Sequence, residues 1–239
     1  MKLKKQLTDW ANRYEVPEFI NTDPIQFPHR FTKKQDIEIS AFVTTYLAFG
    51  QRSQILKKVE ELHTAMGKSP HEYILTGDFS AFPTGNKKFY RFISYTDMNQ
   101  LLTTLKSYYS HYADLETAVI ETGSNSPIIA LQQLFGHIHH IPAIGTGSAS
   151  KRLCMFLRWV VRCNSPVDLG IWQNIEMSSL MIPLDTHVHR MSLQLGITNR
   201  KSADFVTAQE IYDYFKKIFP DDPGRGDFSL FGYSINNKV

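Results

Sequence analysis

The sequence has few cysteines, no long apolar run and almost no excess of charge, and each shortage excludes a class of protein. Two cysteines in 239 residues, Cys154 and Cys163, cannot build a disulfide framework, a four-cysteine zinc site or an iron–sulfur cluster. A reducing, cytoplasmic setting is expected. No apolar stretch approaches the ~20 residues of a membrane-crossing helix. The opening MKLKKQLTDW also lacks the apolar core of a secretory leader, so no membrane partner is expected. The 26 basic against 23 acidic residues leave a net charge of +3, too little to specify a nucleic-acid partner unless the basic residues cluster. Sustained apolar–polar alternation is missing too, as are internal repeats and low-complexity tracts, which argues against a sheet-built or solenoid fold. With 42% hydrophobic and 13% aromatic residues, the chain can still bury a core.

What the sequence does contain is helix punctuation. DIEISAFVTTYLAFG has apolar residues at helical spacing, with Asp36 in N-cap position and Gly50 as the stop. Further helices are predicted from Ser53 to Gly67, from Thr96 and from Asp114. Another starts at Ser126, where Pro127 takes the first helical position at no cost in hydrogen bonds. TAQEIYDYFKKIF carries a Thr207/Glu210 capping box, and DFSLFGYSI closes the chain. The stretch 76–95, TGDFSAFPTGNKKFYRFISY, reads as a loop with an aromatic and basic tip. The fold class is all-α.

Two segments carry candidate chemistry. In IPAIGTGSASKRLCMFLRWVVR a glycine turn at Gly145 and Gly147 precedes a helix whose face of Leu153, Phe156, Leu157, Val160 and Val161 must be buried. The opposite stripe holds Lys151, Met155, Arg158 and Arg162, a spacing suited either to solvent or to phosphates. Lys151 stands in the first turn, where the helix dipole disfavours an ammonium and so favours a nucleophilic amine. In LMIPLDTHVHRM, Asp185 follows an apolar run ending at Pro183 and is placed to cap the next helix. A cap is also a rigid mount for an anion.

IPLDTHVHRM resembles the VDTHIFRV-type segment of the helix–hairpin–helix DNA glycosylases, the group that includes endonuclease III and the 8-oxoguanine glycosylases. The resemblance implies that Asp185 stands for the aspartate essential to base excision, and that Lys151 stands for the lysine forming a Schiff base in bifunctional members. Their separation of 34 residues is similar to that of the archaeal 8-oxoguanine type, with NSPVDLGIWQNIEMSSL as a longer connection. YLAFGQRSQ resembles the helix end whose polar residue, here Gln51, fills the space left by the flipped base. DFSLFGYSI resembles the helix walling the base pocket, so Asp227 would accept a hydrogen bond and Phe231 would stack, with Met155 opposite. The turn departs from the family's LPGVGxKTA hairpin: Ala143 replaces a glycine and the lysine comes four residues later. Over its whole length the chain resembles an uncharacterised bacterial family at the edge of this superfamily, most closely over 141–196.

The resemblance implies a two-lobed helical fold with the active-site cleft between lobes. The expected lobes are a helical barrel of 36–184 and a second lobe of 1–35 plus 185–239, with a helix from about Leu3 to Tyr14 packed on the C-terminal helices. It further implies base-excision glycosylase and abasic-site lyase activity on an oxidised purine such as 8-oxoguanine. The protein would be a monomer on double-stranded DNA, without a cofactor. Gly145, Gly147, Arg158, Arg162, Lys87, Lys88 and Arg91 would contact the DNA backbone. Besides a plain helical scaffold for protein partners, two alternatives stay open. One is a DNA-binding protein of the same fold without catalysis. The other is a metal-dependent hydrolase using Asp185, His187 and His189 with His137, His139 and His140, although residues 187 and 189 point about 200° apart on a helix.

Overall fold

The computed structural model describes residues 2–237; Met1, Lys238 and Val239, the extreme ends of the expected second lobe, lie outside the described residues. Helices dominate, with one two-stranded hairpin among the described residues. No helix among them is long and apolar enough to cross a membrane. The chain forms two compact units, Asp23–Ile144 and Met1–Thr22 with Gly145–Val239. The expected cuts at 35/36 and 184/185 therefore fall elsewhere. Residues 23–35 stay with the helices that follow because two proline-led 3₁₀ turns bury Pro24, Ile25, Phe27 and Pro28. Phe27 packs on His63 with ring centroids 4.9 Å apart, and Arg30 pairs with Glu60 at 2.7 Å.

The unit 23–144 is built round α2 (Lys34–Leu47), which is buried continuously from Asp36 to Leu47. A helix buried all round belongs in a core, and its charged groups need partners there. Glu38 accepts hydrogen bonds from Tyr109 Oη at 2.9 Å and from the Leu115 amide at 3.1 Å. Lys34 pairs with Asp114 and Glu116. Asp36 does not cap α2 as expected: α2 starts earlier, after Lys33, and Asp36 accepts from Ser69 Oγ and the His71 amide instead. Those groups open α4 (Pro70–Thr76), which follows α3 (Arg52–Met66). The stretch read as a loop contains a hairpin, β1 (Lys88–Tyr90) and β2 (Ile93–Ser94), turned by Arg91 at φ +50°. Three- and two-residue strands are too short to show alternation. Helices α5 (Tyr95–His111), α6 (Leu115–Glu121) and α7 (Pro127–Phe135) complete the unit. Asp114 and Ser126 cap the last two as expected.

The other unit joins both ends of the chain. Its helices are α1 (Lys2–Tyr14), α8 (Lys151–Val161), α9 (Thr186–Gln194), α10 (Phe205–Lys216) and α11 (Tyr233–Asn237). Helix α1 packs on the C-terminal segment, with Ser229 Oγ donating to the Leu7 carbonyl at 2.7 Å and Trp10 stacked on Tyr233 at 3.8 Å. The apolar face of α8 is buried as expected, and the connection after it folds back, its Trp172 amide donating to the Val160 carbonyl at 2.8 Å. Helix α10 starts two residues before the expected capping box. Asp204 is the cap and accepts from the Thr207 amide at 3.0 Å, while Glu210 accepts from Thr198. Residues Phe228–Gly232 form a π-helical turn before α11, a widened geometry frequent at functional sites.

Candidate functional site

The lysine stripe of α8 is the place to begin. Lys151 is the first residue of α8, preceded by Ser150 in a left-handed conformation (φ +48°) and by the glycine turn. Lys151 and Met155 are half-buried. Arg158 and Arg162 are buried, 3% and 1% exposed, and here the expectation of phosphate contacts is corrected. Arg158 pairs with Asp227 and with Asp168, its guanidinium 4.7 Å from the Phe228 ring. Arg162 pairs with Asp168, with Asp222 at 2.7 Å and with Glu15 at 2.7 Å. Guanidinium groups could stay charged inside the unit only if matched in this way, since an unpaired buried charge costs several kcal/mol. The helical stripe is real, but its second half faces inward.

Asp227, one residue before the π-helical turn, is 5% exposed. Its carboxyl is pushed up to about 6. Burial is the largest cause; the anions of Asp185 and Asp168 add to it against the pull of Arg158 and Lys151. Burial likewise pushes the Cys154 thiol up to about 12, with Asp227 contributing. Lys151, Cys154 and Arg158 of α8, Asp168 of the connection and Asp185 of α9 are thus all within electrostatic reach of one carboxyl. Asp227 was expected as an open hydrogen-bond acceptor for a base; it stands instead in an ion pair with Arg158.

Asp185 is the N-cap of α9. Its Oδ1 accepts from the His187 and Val188 amides, both at 2.9 Å. No hydrogen bond among the described residues reaches Oδ2. Phe231, half-buried, lies edge-on to His187 with centroids 5.8 Å apart. His187 and His189 turn to different partners: His187 Nδ1 meets Ser234 Oγ at 2.9 Å, and His189 Nε2 meets the Arg200 carbonyl at 2.9 Å. The group of metal-capable donors found among the described residues, Asp97 with His139 and His140, includes neither of them.

Gly145 and Gly147 adopt φ +82° and +69° in an exposed turn, with nothing near where a Cβ would stand. They are required by backbone conformation, not by crowding. Gly147 also accepts from the Phe205 amide at 2.9 Å, which ties the turn to the start of α10.

The remaining expected DNA contacts belong to the unit 23–144. Gln51 is exposed at the start of α3. Beside it, Gly50 (φ +96°) passes so close to the hairpin that a Cβ there would stand 2.7 Å from Arg91 Nη1. Tyr90 Oη donates to the Phe49 carbonyl at 2.5 Å, and Phe49 stacks on Phe92 at 4.4 Å. The loop of Gln51 and the hairpin with Lys87, Lys88 and Arg91 therefore form one exposed patch.

The reading from sequence missed Asp168, Asp222 and Glu15, the partners of the buried arginines. Nothing local marks them: Asp168 and Asp222 lie in connectors and Glu15 directly follows α1, and only the fold-back of the chain gives them a role.

The described residues thus define a mostly helical protein with a lysine, a helix-capping aspartate and a buried carboxyl grouped in one unit. Residues 23–236 match a family described as protein of unknown function (DUF2400), and the chain belongs to that family. We found no match to it among curated proteins and none among solved structures.

Proposed function

We propose that the protein is a DNA base-excision glycosylase and abasic-site lyase that acts on an oxidised purine such as 8-oxoguanine in double-stranded DNA. The observation that carries this reading is the grouping of Lys151 and Asp185, 34 residues apart in sequence, about the buried Asp227 carboxyl. A damaged base has to leave the stack before its glycosidic bond can be reached. In the proposed reaction the Lys151 amine attacks C1′, and the base departs with the electrons of the glycosidic bond. Positive charge develops on the sugar, and Asp185, held by two backbone amides, supplies the facing negative charge. Loss of the amine proton and ring opening give an imine, after which elimination nicks the strand. With Arg158 and Arg162 buried, the phosphate contacts left to this unit fall to the exposed Gly145–Gly147 turn.

The test is borohydride trapping on duplexes carrying 8-oxoguanine, uracil, thymine glycol or an abasic site. Wild type should give a covalent adduct with at least one of them, and Lys151→Ala and Asp185→Asn should not. Trapping that survives Lys151→Ala assigns the chemistry to another amine. Duplex binding with no excision of any lesion would identify a DNA-binding protein without catalysis.

A further inference from the structure

Away from the residues considered for DNA chemistry, Asp97, His139 and His140 converge within the unit 23–144. One donor atom from each lies within 4.8 Å of the other two. Asp97 sits in the first turn of α5, and its Oδ2 is fixed by the Ser94 amide at 2.6 Å and the Ser94 hydroxyl at 2.7 Å. Its Oδ1 meets His139 Nδ1 at 2.9 Å, and His140 Nε2 lies 3.9 Å from Oδ2. The His139 carbonyl is held by Tyr46 Oη at 2.9 Å.

Neighbouring side chains on an extended or helical backbone diverge. These two do not. His140 adopts φ +67°, a left-handed conformation costing a non-glycine residue about 1–2 kcal/mol. Its imidazole thereby lies against that of His139, with centroids 3.6 Å apart, and is backed by Phe92 at 4.5 Å. An ordinary carboxylate–imidazole hydrogen bond explains His139 alone and gives no reason to turn a second imidazole onto the same carboxylate.

We propose that Asp97, His139 and His140 form a binding site for a divalent transition-metal ion of the zinc type. Two imidazoles and one carboxylate are a donor set suited to such ions and too poor in oxygen for calcium or magnesium. Ligands ~2 Å from a tetrahedral ion stand ~3.3 Å apart, so closure asks for side-chain rotation only. Ser94 supplies the outer hydrogen bonds that orient a ligating carboxylate. The His139 side chain is 65% exposed, so the ion is reachable from solvent and keeps an open position for water.

The experiment is calorimetric titration of the whole protein with Zn²⁺ near neutral pH, repeated with Co²⁺ and its visible absorption bands. Wild type should bind one equivalent at micromolar concentration, and the exposed change His139→Ala should weaken binding at least about tenfold. His111→Ala, a control outside the cluster, should leave it unchanged. Asp97→Asn should weaken binding as well; because Asp97 also completes the capping box of α5 with Ser94, His139→Ala is the decisive variant. No one-to-one binding by wild type up to about 1 mM, or equal affinity in His139→Ala, overturns the site. These readouts are independent of any activity on DNA.

Discussion

Consider Arg162→Ala. The guanidinium is 1% exposed and holds Asp168, Asp222 and Glu15 at once, with the Phe228 ring 5.4 Å away. After truncation Asp168 keeps Arg158 and Glu15 keeps Arg225, but Asp222 has no cation left among the described residues. Removing one member of a buried ion pair costs about 3–5 kcal/mol. Partial compensation by the two remaining arginines favours the lower end, and lost packing of the aliphatic stem works the other way. An effect near 4 kcal/mol is a large part of the ~5–15 kcal/mol that holds a typical domain folded. With a urea slope of about 2–3 kcal/mol per molar, the midpoint should drop by about 1.3–2 M. The acid limb should change too. Burial would raise the Glu15 carboxyl, but attraction and a hydrogen bond from Arg162, joined by hydrogen bonds from Arg225 and Ser165, bring it below its ordinary 4.5. A depressed carboxylate stabilises the fold above its unfolded value, and that stability is lost as pH falls through the folded value. Arg162→Ala should therefore flatten the loss of stability below about pH 4.5. Urea unfolding at pH 7 and pH 3.5 reads both effects. A variant with an unchanged midpoint and a weaker, less salt-dependent affinity for duplex DNA would place this arginine on a phosphate and refute the burial argument.

Three further perturbations follow from the same geometry. Asp227, raised from 3.8 to about 6 chiefly by burial, inverts the usual sign. Wild type should lose on the order of 3 kcal/mol as pH climbs from about 4 to about 6, relative to Asp227→Asn; equal slopes in the two proteins would contradict this. His63 is lowered from 6.5 to about 4, chiefly by burial, with Arg30 adding and the Val59 carbonyl and Glu60 opposing. The unfolded chain takes up that proton first, so stability should fall by up to about 3 kcal/mol between pH 7 and pH 4. His63→Gln should abolish that component in urea unfolding, and a slope that persists would trace it to other groups. Asp185→Ala should cost about 1 kcal/mol as a lost helix cap, whereas Asp185→Asn keeps an acceptor oxygen and near-native stability while losing borohydride trapping. Trapping by the Asn variant at the wild-type rate would mean that the negative charge is not needed.

Much of the helical framework was legible because its signals are local. Ser126–Pro127, Asp114 and Asp185 each mark a helix start with a side chain that satisfies amides two or three residues ahead. Asp36 and Thr207 misled for the same reason in reverse. Each is a capping residue type, but Asp36 satisfies another helix and Thr207 is itself capped by Asp204. The 3.6-residue period placed Lys151, Met155, Arg158 and Arg162 on one stripe, yet periodicity does not say how far along a helix the burial boundary runs. That boundary depends on Asp168 and Asp222 arriving from connectors and on Glu15 from just past the first helix. The Asp97–His139–His140 cluster was illegible on one side only. The histidine run stood out, but its carboxylate lies about forty residues earlier and the turn that aligns the rings needs a left-handed His140.

The connectivity of the two units has a consequence for biogenesis. Asp23–Ile144 is one uninterrupted segment, whereas the other unit needs residues from before position 23 and after position 144. On the ribosome the inner segment can complete its contacts first, since domains generally fold as units while the chain emerges. Helix α1 meanwhile has no Ser229 hydroxyl to receive and no Tyr233 ring to stack on until those residues are made. Its apolar stripe, centred on Leu7 and Ala11, stays uncovered while the more than 200 residues between α1 and Ser229 emerge. Removing either α1 or the segment that holds Ser229 and Tyr233 should thus injure the same half of the molecule, and leave the other half's helices as the protease-resistant remnant.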